Sequence, residues 1–162
     1  MSLLLNGSKT VVIAGTQMEC IEVYTGESYT FPFQFLDSMG TPINCTGWTL
    51  TPTAKWYTCT LTYPDANTVN ITNLQLTNPQ PSAGASAGLA ATFTTASTGL
   101  GYIYVPNVIT GGFGTPNPSP TPTVTDTTSI LVILTMAVSR TDTLSGLTDV
   151  SREPLGMIVR YQ

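Results

Sequence analysis

Apolar and polar residues alternate with a period of two along several stretches of this chain of 162 residues. In residues 28–36, SYTFPFQFL, one face carries Tyr29, Phe31, Phe33 and Phe35 and the other Thr30, Pro32, Gln34 and Leu36. That is the pattern of a half-buried β-strand. Residues 48–58, WTLTPTAKWYT, repeat it, with Trp48, Leu50, Ala54 and Trp56 inward and the threonines, Lys55 and Tyr57 outward. Pro32 and Pro52 cannot donate to a ladder, so each predicts an edge, a bulge or an interruption. Residues 130–138, ILVILTMAV, are apolar on both faces and rich in β-branched side chains, which predicts a central strand. Near the end, Leu155, Met157, Val159 and Tyr161 alternate with Gly156, Ile158 and Arg160 in a last strand. Weaker strands fit residues 20–24, 69–74, 89–94 and 101–105. No stretch has the period of an amphipathic helix; at most one helical turn fits residues 140–147.

Two segments, NPQPSAGASAG (78–88) and GGFGTPNPSPTPTVTDTT (111–128), have the Gly, Pro and Ser content of loops or extended chain. Many short strands with turn signals between them, and no alternation with helices, predict an all-β protein. An Ig-like β-sandwich of about seven to nine strands is the expected fold, with a jelly roll as the alternative. Residues 20–162 are expected to form this single domain, and residues 1–19 an N-terminal arm. The arm carries two apolar clusters, Leu3, Leu4, Leu5 and Val11, Val12, Ile13, separated by NGSK, which reads as a turn or joint. Apolar clusters of this kind need a cover. It is supplied either by the domain's own sheet or by the sheet edge of a neighbour.

Between the first two aromatic strands lies a two-step corner. Asp37 and Gly40 take the first and last places of a type I turn, Pro42 holds the chain extended, and Asn44 and Gly47 repeat the first preference before Trp48 opens a strand. Ile43 is the apolar side chain available to plug the core between the steps. This order, an aromatic strand after Gly26-Glu27, then Asp-x-x-Gly-x-Pro, an apolar residue, Asn-x-Thr-Gly and a strand opening on an aromatic, resembles the Ig-like domain at the start of phage baseplate upper proteins and related tail-fibre attachment proteins. The close of the chain, REPLGMIVRYQ, is similar to the final strand of those domains. The family usually carries Asp at position 44, Leu at 45 and Arg near 55, where this chain has Asn44, Cys45 and Lys55. The resemblance implies a structural protein of a tailed-phage virion, made in the host cytoplasm, whose partners are other virion proteins and copies of itself.

Composition narrows the chemistry. Only 9% of the residues are charged, against roughly 25% in ordinary soluble domains. Five scattered basic residues, Lys9, Lys55, Arg140, Arg152 and Arg160, and a net charge of −4 suit no phosphate backbone. Histidine is absent, which removes the usual general base at neutral pH. The pairs Glu19/Glu22 and Asp142/Asp149 read as solvated groups, and no phosphate-binding loop, nucleophile elbow or calcium loop occurs. Neither an enzymatic activity nor a cofactor is expected. Cys20, Cys45 and Cys59 contain no paired metal spacing; they read as three buried thiols, or as one bridge such as Cys45 to Cys59 with a thiol left over. The N-terminus lacks the basic start of a signal peptide, and no apolar run approaches the roughly 20 residues of a membrane helix.

The expected function is therefore non-enzymatic: an assembly module that docks to baseplate or tail proteins. Leu3, Leu4, Leu5, Val11, Val12, Ile13, Phe113 and Val124 are the expected contact residues, and Asp37, Gly40, Pro42, Asn44 and Gly47 the shape-giving ones. A capsid cement or decoration protein fits a short, uncharged, threonine-rich sandwich as well. Carbohydrate binding is the third reading, with Trp48, Trp56, Tyr57, Tyr102 and Tyr104 as a potential stacking platform; core packing of the two tryptophans competes with it.

Overall fold

The computed structural model describes residues 2–5, 9–13, 16–62, 68–77, 80, 88–111, 125–141 and 148–160. Among these the chain forms ten strands, one more than the upper expectation. They are β1 (Ser2–Leu5), β2 (Lys9–Ile13), β3 (Thr16–Tyr24), β4 (Tyr29–Leu36), β5 (Thr49–Thr62), β6 (Thr68–Leu76), β7 (Ala90–Thr95), β8 (Leu100–Val105), β9 (Thr125–Thr141) and β10 (Thr148–Arg160). A 3-10 turn spans Ala96–Thr98 and a short helix, α1, spans Asn107–Gly111. The protein is an all-β sandwich of two packed sheets. One is four-stranded, in the order β1-β4-β8-β7; the other closes on itself as a six-stranded barrel, β10-β3-β2-β6-β5-β9.

The long strand β9 shows how one sequence serves two cores. Ile130, Val132, Leu134, Met136 and Val138 face the four-stranded sheet and meet Phe33, Phe35, Trp56, Ile103, Val105, Leu155 and Met157. Leu131 points the other way, into a second cluster with Cys20, Cys59, Leu61, Val69, Ile71 and Ile158. Those residues come from five of the six barrel strands, so this cluster fills the barrel. Along β5, Leu50, Ala54 and Trp56 face the first core and Tyr57, Cys59 and Leu61 the second, by the ordinary alternation of a strand. β9 pairs with β5 on one side and β10 on the other, the central place its two apolar faces predict.

Several local expectations change. β10 is buried on both faces from Leu155 to Val159, because Gly156 and Ile158 look into the barrel instead of into water. Arg140 lies in β9 and not in a helical turn, and residues 142–147 fall outside the described residues. Of the loop expected at 111–128, residue 111 ends α1 and residues 125–128 begin β9.

The two prolines mark places where cover stops. β1 pairs with β4 from Leu36 to Phe33, and Pro32 is the next residue, paired among the described residues only with Tyr102 of β8. Among the described residues β6 pairs with β5 only from Tyr57 onward, so Pro52 has a ladder partner on β9 alone. Where that open side ends, the side chain of Gln80 acts as a missing strand. Its amide oxygen accepts the Trp56 N–H at 3.1 Å and its amide nitrogen donates to the Trp56 carbonyl at 2.8 Å. Of the first nineteen residues, those described are paired within the chain: β1 along β4, and β2 between β3 and β6 in the barrel wall.

Candidate docking surface

The residues of the two-step corner serve shape. Gly40 N–H donates to the Asp37 carbonyl at 3.1 Å and Gly40 has φ +80°, so the first step is a four-residue turn closed by a left-handed glycine. The Asp37 carboxylate accepts the N–H groups of Met39 and Thr41, both at 2.8 Å. The Thr41 and Met39 donors hold its pKa below the ordinary carboxylate value. The second step is shifted by one residue from its expected frame: Trp48 N–H donates to the Cys45 carbonyl at 3.0 Å, which puts Gly47, φ +83°, third in the turn. Asn44 stands outside it and accepts from the Thr46 N–H and hydroxyl. Ile43 is half-buried, and the fully buried plug is Cys45, whose N–H donates to Ala96 O at 2.7 Å. The corner thus locks onto the 3-10 turn between β7 and β8. Pro42 bridges back to Leu36 at its base.

The proposed stacking residues scatter. Trp56 is buried in the sandwich core. Trp48 is only half-buried, a correction to its expected core position: it immediately precedes β5 and packs at the margin of the core, with Phe35 on one side and the Arg140 guanidinium 5.2 Å from its ring centre. Tyr57 packs against the barrel cluster and does not face outward. Tyr102 and Tyr104 alone share an open face. Cys45 belongs to the sandwich core and Cys59 to the barrel core, so the bridge considered between them does not form; all three cysteines are free and buried. Burial pushes the Cys20 thiol up to about 12 and that of Cys45 up to about 11, the latter against the opposing pull of Arg140.

The remaining surface with a distinct character is the outer face of the four-stranded sheet and its β7 edge. Gly101, Ile103 and Val105 of β8 point into the core, so Leu100, Tyr102 and Tyr104 point out. Cross-strand registers set Pro32 and Thr92 beside Tyr102, and Thr30 and Ala90 beside Tyr104. No Asp, Glu, Lys or Arg occurs from residue 66 to residue 125, so β7 and β8 present a wholly uncharged surface. Tyr104 and Leu100 remain 37% and 40% exposed on it. The missing charge was visible in the sequence; that it gathers on one face and one edge was not.

Of the expected contact residues, Leu3, Leu4 and Leu5 lie on β1 at the opposite edge of the same sheet, and Val11, Val12 and Ile13 on β2 in the barrel wall. The two groups are therefore in different sheets. Phe113 and Val124 lie outside the described residues. Among the described residues, no group of three or more Cys, Asp and Glu side chains is placed to hold a metal ion. Compared with known protein families the sequence matches no family model, and no curated protein matches it.

Proposed function

We propose that this chain is a non-enzymatic structural protein of a tailed-phage virion, an assembly module that docks through the four-stranded sheet to other virion proteins of the baseplate or tail. The observation that carries the docking part is the uncharged outer face and edge formed by β7 and β8, with Tyr102, Tyr104 and Leu100 at its centre. A protein kept apart from its neighbours normally places charges on such an edge. The phage setting rests on the corner sequence, which resembles the Ig-like domain of baseplate upper proteins. In that reading the corner is scaffold: Asp37, Gly40 and Gly47 fix the path between β4 and β5, and Cys45 anchors it on the β7–β8 turn. Many copies on a symmetric particle make weak individual contacts sufficient.

The test is to purify virions released from cells carrying the gene, identify this chain in them by mass spectrometry and place it by immunogold labelling. Label at the tail end supports the baseplate station, and label over the head moves the protein to the capsid cement role. Absence from the particles overturns the reading. Tyr102 and Tyr104 favour one other function, carbohydrate binding, because two rings two residues apart on an open sheet face can stack on a sugar. Binding on a glycan array, abolished by Tyr102→Ala, would establish it.

A further inference from the structure

The open stretches beside β4 and β5 are guarded, whereas the two outer strands of the four-stranded sheet, the short β1 and the longer β7, carry neither proline nor charge. Pro32 stands where β1 ceases to cover β4. Pro52 and Lys55 lie on the part of β5 that β6 leaves open, and Gln80 ends it at Trp56. Proline and lysine are the ordinary means of keeping an edge from pairing with another chain. Residues 89–105, which include all of β7 and β8, contain neither, and no acidic residue either. β7 ends the sheet order, so among the described residues one side of its backbone has no ladder partner.

We propose that β7 pairs antiparallel with β7 of a second copy of this chain, continuing the four-stranded sheet across a two-fold axis into an eight-stranded one. This rests on the assembly reading and names the partner at that same surface. Across a two-fold axis a group close to the axis lies beside its own copy, so a charge there meets a like charge. The uncharged span satisfies that condition. A register centred on Thr92 sets Thr92 opposite Thr92 and Ala90 opposite Thr94 on the outer face. On the inner face it sets Phe93 opposite Ala91, a large side chain beside a small one. Phe93 and Ala91 are half-buried in the single chain and pack at the margin of the sandwich core, so the second copy completes their cover. The bulge between Phe93 and Thr95 limits the new ladder to residues 90–94.

Sedimentation equilibrium of the full chain tests this, with circular dichroism to confirm that each variant is folded. The wild type is expected to sediment with twice the monomer mass. Thr92→Lys and Thr92→Glu, at an exposed outward position, should each weaken self-association at least tenfold, and an equimolar mixture of the two should restore it. The double variant Ala90→Lys with Thr94→Glu should associate at least as tightly as wild type, since each lysine then faces a glutamate of the other copy; Ala90→Lys alone should weaken it. A wild type that stays monomeric at its solubility limit, or Thr92 variants that associate as well as wild type, would overturn the pairing. A double variant weaker than Ala90→Lys would overturn the register on which the pairing is argued. A monomeric wild type that still enters particles would sink β7 pairing and leave the assembly reading intact; a dimer absent from particles would do the reverse.

Discussion

Gly101, the second residue of β8, lies between two aromatic cross-strand neighbours, and replacing it with alanine sets two effects against each other. Its cross-strand neighbours are Phe33 on β4 and Phe93 on β7, with ring centres 6.0 Å apart at 73°. Its backbone lies outside the left-handed region, so alanine meets no conformational penalty there. In a strand interior, alanine is favoured over glycine by about 0.5–1 kcal/mol, because the unfolded chain has less freedom to lose. The space argues the other way. A Cβ at residue 101 would come within 2.4 Å of the Thr92 carbonyl oxygen and 2.6 Å of Phe33 Cζ. The Phe33 ring can tilt, but the Thr92 oxygen belongs to the backbone of a paired strand, so the cost lies toward the top of the roughly 1–3 kcal/mol typical of overpacking. The net expectation for Gly101→Ala is a loss of about 1–2 kcal/mol, which for a chain of this length lowers Tm by roughly 3–8 °C. Thermal unfolding followed by circular dichroism measures it. A cycle with Phe33→Leu separates the causes: with the ring shortened, the alanine should cost less, by a coupling of about 0.5 kcal/mol or more. A Tm equal to or above that of wild type would refute the placement of Phe33 and Thr92 around Gly101.

At Gly40 and Gly47 an added Cβ would meet no atom within 4 Å, but Gly40→Val and Gly47→Val each force a β-branched residue to positive φ, so each should cost about 1–2 kcal/mol in urea unfolding. Asp37 has a lowered folded pKa, so its contribution is present above the unfolded value of 3.8 and disappears as pH falls through the folded value. The urea midpoint of wild type should therefore exceed that of Asp37→Asn at neutral pH and converge with it in acid; a gap independent of pH would show that the carboxylate charge is not what holds the turn. With pKa values pushed up to about 12 and about 11 by burial, Cys20 and Cys45 should resist alkylation in the native protein at pH 8 and react once it is unfolded. Rapid native labelling of either would contradict its burial.

What could be read from the sequence was whatever local period decides. β4 and β5 announced themselves by alternation, and β9 by apolar residues on both faces. The burial of Ile158 had no such signal, because it alternates with Gly156 and Arg160 and only a closed small barrel buries that side as well; Gly156 leaves room there, since a Cβ would meet Cys20 Sγ at 3.1 Å. The barrel itself had no local signal. Its closure depends on two parallel pairings, β10 with β3 and β2 with β6, between segments far apart in sequence. The second turn of the corner slipped by one residue because Asn44 and Gly47 satisfy the preference for one frame, while the Trp48 to Cys45 hydrogen bond and the positive φ of Gly47 select the other. Gln80 looked like part of a loop, because a side chain standing in for a strand is recognisable only once the strand it completes is in place.

The N-terminal segment gains a different meaning from the same topology. β1 lies in the four-stranded sheet and β2 in the barrel, with three residues between them, so this short stretch of chain spans both layers of the sandwich. β2 cannot change partners alone, because Ile13 pairs with Thr16 across a connection of two residues that keeps β2 against β3. It also stands between β3 and β6, so its removal would open the barrel and expose Val69 and Ile71, which are now buried. Any exchange of an arm between copies is thereby confined to Ser2–Leu5, whose four register pairs with β4 are the only ladder that segment makes among the described residues. Taking away residues 1–19 would test whether the barrel closes. Taking away residues 1–5 leaves the barrel whole and bares the β4 edge from Phe33 to Leu36, so only that shorter truncation separates a docking strand from a folding one.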